Sequence, residues 1–426
     1  MLLVIVLFLI LLVIGMPVAF AIGISGAVFF LQYSDLPFTM TVQLALAQTQ
    51  NFPLLAIPLF IFSANLMNET GLTQRLITLS LVLTGHMRGG LAQVSVVLST
   101  FMGGVSGSAI ADAAMQGRIL GPDMIKKGFS KGYIASVIAI TAMITAIIPP
   151  SIGLILYGTI GEVSIGRLFA AGIPVGLLMM VFLMITVSFT AKKRRYLPER
   201  ERASFREVAK ALLSSIWAFL FPIVLIGGIR FGLFTPTEAG AFAAVYALAV
   251  GGLIYRELTW DKIKRTLEIT VMDIGSIMLL IALSGIFGYG LAYERVGDLL
   301  AGHILAITTN PRALLLLIIA ALVILGMFIE SVIIILLFTS ILLPMVTQVG
   351  VDPVHFGLIM MVMVVMGLVT PPVGISMYTV CSILDCKIED YVKESLPFIF
   401  AVVLVAVVIV FFPALVLFVP NLIFGK

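Results

Sequence analysis

Apolar segments long enough to cross a lipid bilayer recur along the whole chain, and they limit its fold more than any other feature of the sequence. Of the 426 residues, 61% are hydrophobic and only 11% are charged, whereas about 25% of the residues of a soluble domain are charged. A spanning helix needs about 20 mostly apolar residues. The sequence therefore predicts an all-α, polytopic membrane protein embedded in the lipid bilayer.

Ten of these segments have the length of one span, at 1–31, 52–67, 72–86, 132–160, 168–190, 209–229, 236–254, 267–291, 355–380 and 396–419. Two others, 90–121 and 312–346, are longer than one span and too short for two spans and a turn. Their middles contain GGVSGSAIAD and GMFIES, which hold weak helix formers or a charge. We predict that both are re-entrant hairpins, because non-helical backbone at membrane depth must be buried in protein or line a cavity.

The N-terminal segment is similar to a signal peptide only in being apolar. It has no basic region before the apolar run, and the run exceeds the usual length of about 7–15 residues. We therefore expect a retained transmembrane helix that bends near Gly15–Pro17. Residues 35–51 are less apolar, and we expect them to form an amphipathic helix at the membrane interface.

The distribution of lysine and arginine predicts the orientation in the membrane. The loop KKRRYLPERERASFR at 192–206 is strongly basic, and basic loops stay in the cytoplasm. Alternation outward from this loop makes the cytoplasmic connections 85–90, 119–131, 255–266 and 384–395. With the adjoining helix ends they hold about 19 of the 25 basic residues. This topology places both termini outside, opens the first hairpin from the cytoplasm, and opens the second from outside.

Two apolar spans are interrupted by adjacent prolines at matching places. TAIIPPSIGLILYG starts at Thr145, and GLVTPPVGISMYT starts at Gly367. A proline inside a helix removes a backbone donor and costs about 3 kcal/mol. Each pair follows a predicted hairpin, and the segments after them, 163–174 and 386–397, match at an offset of 223. The two broken helices run in opposite directions, which predicts an inverted repeat, and such breaks are the best sequence pointer to a transporter's binding site.

Breaking a helix inside the membrane leaves carbonyl oxygens without partners, and a sodium ion accepts a shell of such neutral oxygens. We predict one oxygen cluster per repeat. The predicted sodium ligands are Gly103, Ser106, Ser108, Thr145, Ile148 and Pro150 in the first repeat, and Gly326, Gly367, Thr370 and Pro372 in the second. The alternative for Ser106 and Ser108 is that they bind helix backbone or permit close helix packing.

The amides at the start of each half-helix suit an anionic group of a substrate. The predicted substrate-binding residues are Ser151, Gly153, Val373 and Gly374 at the breaks, and the intramembrane carboxylates Asp112 and Glu330. Ionisable residues inside a membrane are functional candidates by default, and the repeat is taken to place these two carboxylates equivalently. The alternative is that both carboxylates cap the returning arms of the hairpins.

Motifs of several other protein classes are missing from the sequence. It has no GxxxxGK[ST], HExxH or GxSxG pattern, which argues against an ATPase, a zinc protease and a serine hydrolase. Cys381 and Cys386 have no cysteine or histidine partners nearby, so no metal other than sodium and no disulfide framework is expected. No basic patch is interleaved with aromatic residues, which excludes nucleic acid as a partner.

Several segments resemble the large membrane subunit of the tripartite ATP-independent periplasmic (TRAP) transporters. They are NFPLLAIPLFIFSANLMNETGL, GVSGSAIADAAM, IIPPSIGLILYG, FTPTEAGAFAAVYAL and GLVTPPVG, at 51–72, 104–115, 147–158, 234–248 and 367–374. The resemblance covers essentially the whole chain. Departures from the family pattern occur at Gln116 and Arg118, and at Glu330, where aspartate is more usual.

The resemblance implies sodium-driven import of an organic acid across the bacterial inner membrane, with no cofactor beyond the coupling Na⁺. It implies two partners, a small membrane subunit of about four helices and a periplasmic substrate-binding protein. It also implies an elevator, in which a transport part slides against a scaffold. The expected division is scaffold at 1–86, transport repeat 1 at 87–160, scaffold at 161–266, transport repeat 2 at 267–395, and a scaffold helix at 396–426.

Three functions are compared at this stage. The first is sodium-coupled import of an acid delivered by a binding protein, with sialic acid favoured over a C4-dicarboxylate or a sugar acid. The second is a stand-alone divalent-anion/sodium symporter that needs no binding protein. The third is a membrane-embedded enzyme with its site between the hairpins, which the missing nucleophile and metal motifs disfavour.

Overall fold

The computed structural model describes residues 1–33 and 35–425, and every regular element in them is a helix. The helices are α1 (Leu2–Val13), α2 (Val18–Gln32), α3 (Met40–Thr49), α4 (Ala56–Glu69), α5 (Leu72–Thr84), α6 (Gly90–Gly103), α7 (Ala109–Ile119), α8 (Gly121–Lys126), α9 (Lys131–Thr141), α10 (Met143–Ile147), α11 (Ile152–Ile160), α12 (Ile165–Arg194), α13 (Phe205–Ser214), α14 (Ile216–Arg230), α15 (Pro236–Ala249), α16 (Trp260–Tyr293), α17 (Val296–Ile307), α18 (Pro311–Phe328), α19 (Ser331–Gln348), α20 (Pro353–Met366), α21 (Ile375–Leu384), α22 (Ile388–Phe411) and α23 (Pro413–Phe424). Short turns precede α4 (Phe52–Leu55) and extend α15 (Val250–Ile254) and α20 (Gly367–Val369).

The described helices include seven that are long and apolar enough to cross a membrane, or up to nine if each bent pair forms one span. The longest of them are α12, with 30 residues, and α16, with 34. The chain is therefore an all-α, multi-pass membrane protein, as its composition predicts.

Contacts between connecting segments define two ends of the molecule. At one end, which we call the basic face, the loop between α12 and α13 lies beside the starts of α6 and α9. The Gly89 amide donates to the Tyr196 carbonyl at 3.3 Å, and Lys127 pairs with Glu199 at 3.3 Å. The other end, which we call the opposite face, holds the starts of α1 and α18.

The N-terminal segment is two helices and not one bent span, so that prediction is wrong. The Met1 amino group lies 3.1 Å from the Glu294 carboxylate, and the Tyr33 hydroxyl donates to the same carboxylate. Both ends of the α1–α2 pair therefore reach the opposite face. The chain reverses at Gly15, whose φ is +88°, and at the proline that follows. The helices have 12 and 15 residues. At a rise of about 1.5 Å per residue, each is shorter than the hydrocarbon core, which is about 30 Å thick.

Helix α5 does not cross the membrane, and the prediction of a span at 72–86 is wrong. Near its start Arg75 pairs with Glu257 at 2.7 Å, and just after its end the Gly85 carbonyl accepts the Glu199 amide at 2.7 Å. Both partners lie in connections at the basic face. The 13 residues of α5 therefore lie along that face, where they pack against α13.

Two further predicted spans have the wrong bounds. The span predicted at 209–229 begins too early, because α13 is a separate helix that meets α14 at a bend of 57°. A capping box of Ser204 and Glu207 starts α13, and the Ser204 amide holds the pKa of Glu207 below its usual range. The span predicted at 396–419 ends too late, because α22 stops at Phe411 and α23 returns to Arg167, which donates to Asn421 at 2.9 Å.

Both predicted hairpins are present. Helices α6 and α7 start and end at the basic face and meet at a tip over residues 104–108, while α18 and α19 start and end at the opposite face. Arg312 at the start of α18 lies 5.7 Å from the centroid of the Phe411 ring, and α22 ends there. The arms of the first hairpin have 14 and 11 residues, and those of the second have 18 each.

The helix breaks fall at the paired prolines, as predicted. The α9–α10 segment ends at Ile147 and α11 starts at Ile152, with a bend of 45° between them. The α20 turn ends at Val369 and α21 starts at Ile375. Both Pro–Pro peptide bonds, Pro149–Pro150 and Pro371–Pro372, are cis.

The offset of 223 relates the helices of the two halves, including α5 with α17, the two hairpins, the two broken helices, and α12 with α22. One inference from it is wrong. The offset aligns Gly103 with Gly326 and Ser108 with Ser331, but it places Asp112 opposite Ile335 and Glu330 opposite Gly107. The two carboxylates are therefore not equivalent in the repeat.

The helices pack into two groups. In the first group, α16 contacts α2, α3 and α4, and α4 contacts α15. In the second group, α12 and α22 contact α9 and α20, which also contact the hairpins. The division expected from the sequence assigned α12 and residues 396–411 of α22 to the scaffold, and most of α16 to the second transport repeat. In the structure α12 and α22 contact α9 and α20, which that division assigned to the transport part, while α16 contacts the scaffold helices α2 and α4.

The contact between the second hairpin and the second break requires glycine at position 367. A Cβ atom there would lie 2.7 Å from the Gly326 Cα atom. Because backbone cannot move away as a flexible side chain does, we expect Gly367→Ala to destabilise the fold by about 1–3 kcal/mol. Thermal unfolding of the purified chain in detergent measures this effect.

The matched control is Gly275→Ala in α16, where nothing lies within 4 Å of the added atom. We expect it to stabilise the fold slightly, since alanine is favoured over glycine in a helix by about 0.5–1 kcal/mol. A Gly367→Ala chain that melts at or above the wild-type temperature contradicts the proposed close contact.

Candidate ion and substrate site

The tip of the first hairpin lies directly against the first helix break. Gly107 has a φ of +63°, which favours glycine, and a Cβ atom on it would collide with the Pro150 carbonyl oxygen. A Cβ atom on Gly103 would lie 2.6 Å from that of Ile148. The structure thus brings together the backbone of Gly103, Ile148 and Pro150, three of the predicted sodium ligands.

The second hairpin lies against the second break in a similar way. Gly326 and Gly367 meet backbone to backbone, and the Val373 amide donates to the Met327 carbonyl at 3.2 Å. Pro372 lies between these two contacts in the chain. The backbone atoms of the residues predicted for the second sodium site are therefore also close together.

Several hydroxyls of the predicted sodium and substrate sites have hydrogen-bonding roles within their own helices. Ser108 caps α7 by accepting the Ala111 amide at 3.3 Å, and Ser151 caps α11 by accepting the Leu154 amide at 3.4 Å. Thr370 donates to the Met366 carbonyl at 3.1 Å. Ser106 is buried, and its hydroxyl makes no side-chain hydrogen bond with the described residues. The alternative role in helix backbone binding is thus the one observed for Ser108.

Asp112 is at the centre of a buried polar cluster between the first hairpin and the first broken helix. Only 1% of its surface is exposed. Its Oδ2 atom accepts hydrogen bonds from the Ser99 hydroxyl at 2.7 Å, the Gln116 amide at 2.9 Å and the Thr145 hydroxyl at 2.8 Å. Its Oδ1 atom is fully buried and has no hydrogen-bond partner among residues 1–33 and 35–425.

This cluster changes the interpretation of Asp112. Ser108, and not Asp112, caps α7, so the capping alternative does not describe this carboxylate. The surrounding protein also encloses it on all sides, so a substrate has no access to it in this conformation. Thr145, predicted as a sodium ligand, is instead placed beside a carboxylate that the prediction did not include among the ion ligands.

The cluster contains residues that the sequence did not single out. The Ser95 hydroxyl donates to the Gln116 carbonyl oxygen at 2.6 Å and lies 3.0 Å from the Thr141 hydroxyl. Gln116 and Arg118 both depart from the family pattern, but only Gln116 turns inward. Ser95 and Ser99 lie four residues apart on α6, and Asp112 and Gln116 lie four residues apart on α7. Residues at this spacing share one face of a helix, and this spacing was the signal for the cluster that the sequence offered.

The two breaks differ in their exposure. Ser151, Gly153 and the prolines of the first break are buried, whereas Pro372 is exposed and Val373 is 42% exposed. Gly374 is buried beside it. Of the predicted substrate-binding residues at the two breaks, Val373 is therefore the accessible one.

Glu330 lies just beyond the tip of the second hairpin and is partly exposed. Within the described ranges its carboxylate forms no hydrogen bond or ion pair with another residue, unlike Asp112 with its three donors. It is the N-cap residue of α19, but its side chain accepts no backbone amide there. The capping alternative is therefore not observed for Glu330 either.

The second half of each broken helix packs against the hairpin of the other repeat. Helix α11 contacts α19, and α21 contacts α7. A Cβ atom on Gly161 would lie 3.4 Å from Thr339, and one on Gly117 would lie 3.5 Å from Ile383. Each broken helix therefore connects elements of both repeats.

The donor set of the site consists of hydroxyls, carbonyls and single carboxylates. No group of three or more His, Cys, Asp or Glu side chains able to hold a metal ion occurs in the part of the chain that the structure describes. Hard cations prefer oxygen ligands, and soft thiolate or imidazole sets are the ones that select transition metals. The oxygen donors of the site are thus of the kind that hard cations prefer.

Comparisons with known proteins agree with this picture. Residues 5–415 match the family described as "Tripartite ATP-independent periplasmic transporter, DctM component". The chain is 35% identical to the sialic acid TRAP transporter large permease protein SiaM of Vibrio cholerae, over 96% of each chain. It is 34% identical to the 2,3-diketo-L-gulonate TRAP transporter large permease protein YiaN of Escherichia coli, over 95% of each.

A third relative is the C4-dicarboxylate TRAP transporter large permease protein DctM of Pseudomonas aeruginosa, which is 32% identical over 94% of each chain. Among solved structures, the fold is similar to that of the YdaH transporter of Alcanivorax borkumensis, described as having an unusual topology. The TM-score is 0.63 at 13% identity, over 89% of this chain and 88% of that one. At this identity the likeness concerns the fold alone.

The different contacts of Ser106 and Ser108 predict different effects of their removal. Ser108→Ala removes the N-cap of α7, which costs about 1 kcal/mol of stability, and we expect it to leave any sodium dependence of stability unchanged. Ser106→Ala removes a hydroxyl with no such role and is expected to alter stability by less than about 0.5 kcal/mol. Thermal unfolding of both variants in sodium and in potassium buffers measures this, and equal losses for the two would contradict the assigned roles.

Proposed function

Since the chain belongs to the DctM-component family of tripartite ATP-independent periplasmic transporters, we propose that it couples the import of an organic acid to a sodium gradient. The chain is a transporter component and not an enzyme, as its relatives are named TRAP transporter permeases. Large subunits of this family work with a small permease and a periplasmic binding protein, and we expect this chain to have one of each.

The observation that carries the sodium proposal is the orphaned Oδ1 atom of Asp112. Burying a carboxylate oxygen without a partner costs several kcal/mol, and three donors already satisfy the other oxygen. A cation next to Oδ1 removes this cost. Neutral oxygens coordinate a sodium ion, and the nearby hydroxyls of Ser99 and Thr145 and the carbonyls of the broken helix supply such oxygens. The residues present therefore fit this ion.

The substrate is proposed to bind at the second break. The first amides of α21 have no partners within the helix and attract an anion, and the adjacent Val373 is exposed. Glu330 beside this region would repel the substrate's carboxylate. A cation bound between the second hairpin and the break would cancel that repulsion, and this supports coupling of acid binding to sodium binding.

The two packing groups support an elevator. We assign α1–α4 and α13–α17 to the scaffold, and α6–α12 and α18–α23 to the transport part, while α5 contacts both parts through α13 and α6. In this arrangement sodium first fixes the hairpin tips against the breaks, the acid then binds, and the transport part moves as one body. Coupling requires that the sodium-only form cross less readily than the empty or fully loaded forms, since a ligand shifts such an equilibrium only by its differential affinity.

Orientation follows from the basic face. The loop at 192–206 is placed in the cytoplasm by the positive-inside rule, which puts both termini on the periplasmic side of a bacterial inner membrane. Two errors in the predicted spans cancel here. The α1–α2 pair returns to its own face and α5 does not cross, so the side of every later helix is unchanged.

Relatives of the chain are named for sialic acid, a diketo sugar acid and a C4-dicarboxylate. An organic acid is common to these three names. We retain sialic acid as the favoured substrate of this chain, while a relative named for isethionate shares the same 35% identity as the relative named for sialic acid. A stand-alone divalent-anion symporter is the alternative, and membership of a tripartite family disfavours it.

The test is uptake by proteoliposomes that hold the chain and the small subunit encoded beside it, with the loaded binding protein outside and an inward sodium gradient. We expect uptake of the radiolabelled acid only with both partners and with sodium. Equal uptake when the sodium gradient is replaced by potassium excludes the sodium coupling. Uptake without the binding protein supports the stand-alone symporter.

The role of Asp112 predicts a loss of sodium binding in Asp112→Asn. Sodium that binds only the folded state raises stability by about 2.7 kcal/mol at 100 times its Kd, and we expect the variant to lose most of this sodium-dependent gain. Thermal unfolding in sodium against potassium measures it. The matched control is Asp273→Asn, an exposed carboxylate that accepts from Asn65 at 3.2 Å, which should keep the full gain. A full sodium gain in Asp112→Asn contradicts the proposal.

A further inference from the structure

A cavity of about 430 Å³ lies between the two packing groups, toward the opposite face. One wall comes from α3, α16 and the start of α17, and the other comes from the end of α11 and from α19. Ligand cavities commonly measure about 300–1,000 Å³ and form between domains, with apolar walls and a few polar groups. The cavity is separate from both helix breaks, since none of the break residues lines it.

Three of the lining side chains carry polar groups without partners. The Arg295 guanidinium, the Asp298 carboxylate and the Gln48 amide form no hydrogen bond or ion pair with residues that the structure describes. Arg295 is held at the turn between α16 and α17 by a backbone φ of +49°. Gln48 passes over Gly285, where any side chain would collide with it. All three residues are exposed as well as lining the cavity, so their polar groups lie at its open side and are accessible to a ligand.

The remaining walls add an aromatic ring and a hydroxyl. Tyr289 stacks against Phe30 and Tyr293, with ring centroids 5.6 Å and 6.1 Å away, and this fixes a rigid apolar surface in the wall. The Ser340 hydroxyl donates to the Leu337 carbonyl at 3.1 Å, which leaves its oxygen free to accept. One cation, one carboxylate, one amide, one hydroxyl and an aromatic face are thus present together.

We propose that this cavity is a second binding site, which receives a hydroxylated carboxylic acid before it reaches the helix breaks. This inference rests on the proposed import of an organic acid. The ligand's carboxylate binds Arg295, since guanidinium–carboxylate hydrogen bonds are charge-assisted and often bidentate. Its hydroxyl groups donate to Asp298 and to the Gln48 carbonyl oxygen, and its apolar ring face packs on Tyr289.

The presence of Asp298 decides between the acids for which the relatives are named. A second carboxylate on the ligand would lie near Asp298 without a cation to balance it, and juxtaposed like charges oppose binding. A hydroxyl in the same place donates a hydrogen bond to Asp298. The cavity therefore selects a sugar-type acid with one carboxylate over an unhydroxylated dicarboxylate.

The test measures protection of a cysteine in the cavity wall. Ser340→Cys is introduced into the full-length chain after Cys381 and Cys386 are replaced by serine, and the chain is placed in lipid nanodiscs. N-acetylneuraminate, D-gluconate and succinate are the probes, and the rate of maleimide labelling is measured. At ten times its Kd an acid occupies about nine-tenths of the sites, so we expect N-acetylneuraminate or gluconate to slow labelling about tenfold and succinate to have little effect.

Variants of the charged groups give the decisive outcomes. Arg295→Gln should raise the half-protecting concentration about 10- to 100-fold, since a hydrogen bond to a charged group contributes about 1.5–3 kcal/mol and each 1.4 kcal/mol is tenfold. Arg230→Gln, an exposed arginine on the same face outside the cavity, should leave protection unchanged. Asp298→Asn should allow succinate to protect.

The outcomes separate this proposal from the proposed function. A control cysteine at His303, on the exposed side of α17, should be labelled at the same rate with and without acid. Sodium-driven uptake without any protection of Ser340→Cys, or protection that Arg295→Gln does not weaken, overturns the cavity site alone. Protection by a sugar-type acid in a chain that shows no sodium-driven uptake supports the cavity and overturns the proposed function.

Discussion

The need to satisfy broken backbone inside the hydrocarbon core determines the rest of this structure. Each Pro–Pro break frees carbonyls and amides that lipid cannot satisfy, and the tip of a re-entrant hairpin packs against each break. Glycines make this possible, at Gly107 over the Pro150 carbonyl and at Gly326 against Gly367. Any change of hairpin position exposes the break, so hairpins and broken helices behave as one unit.

The two halves satisfy this need differently. At the first break the covering is complete, and Asp112 with its three donors adds a buried carboxyl group that the second repeat lacks, because Ile335 takes the corresponding place. At the second break the backbone is partly exposed, and Glu330 lies next to it without a partner. The two halves of the repeat are unequal, and this agrees with the unequal roles that we propose for them. The first break holds mainly the ion, and the second break binds the acid.

The elements that the sequence predicts well are those whose pattern has only one physical solution. The paired prolines, the over-long apolar segments and the offset of 223 lead to both hairpins and both breaks without reference to any contact. The failures occur where an apolar helix has two possible places. Residues 1–31 look like one span, yet Gly15 and Pro17 turn them into a hairpin, and residues 72–86 are apolar enough to span but lie along the basic face. Tertiary contacts such as Arg75 with Glu257 decide these cases.

The site shows the same limit at the level of single residues. Backbone ligands near the breaks follow from the breaks themselves. The partners of Asp112 do not, because Ser99 and Gln116 come from two arms of a hairpin whose rotation the sequence does not specify. The cavity at Arg295 was not predicted either, since its walls come from α3, α16 and α19, which are far apart in the chain.

Relative movement of the two packing groups is the central claim, and a distance between them tests it most directly. Spin labels are attached at Met272 of α16 and Ile119 of α7, which are 73% and 39% exposed, with Met272 and Val42 as a pair within the scaffold. We expect two distance populations for the first pair, and the ratio of these populations should shift when sodium and the acid are added together. We expect one constant distance for the second pair. A single unchanging distance between Met272 and Ile119 under all conditions would contradict it.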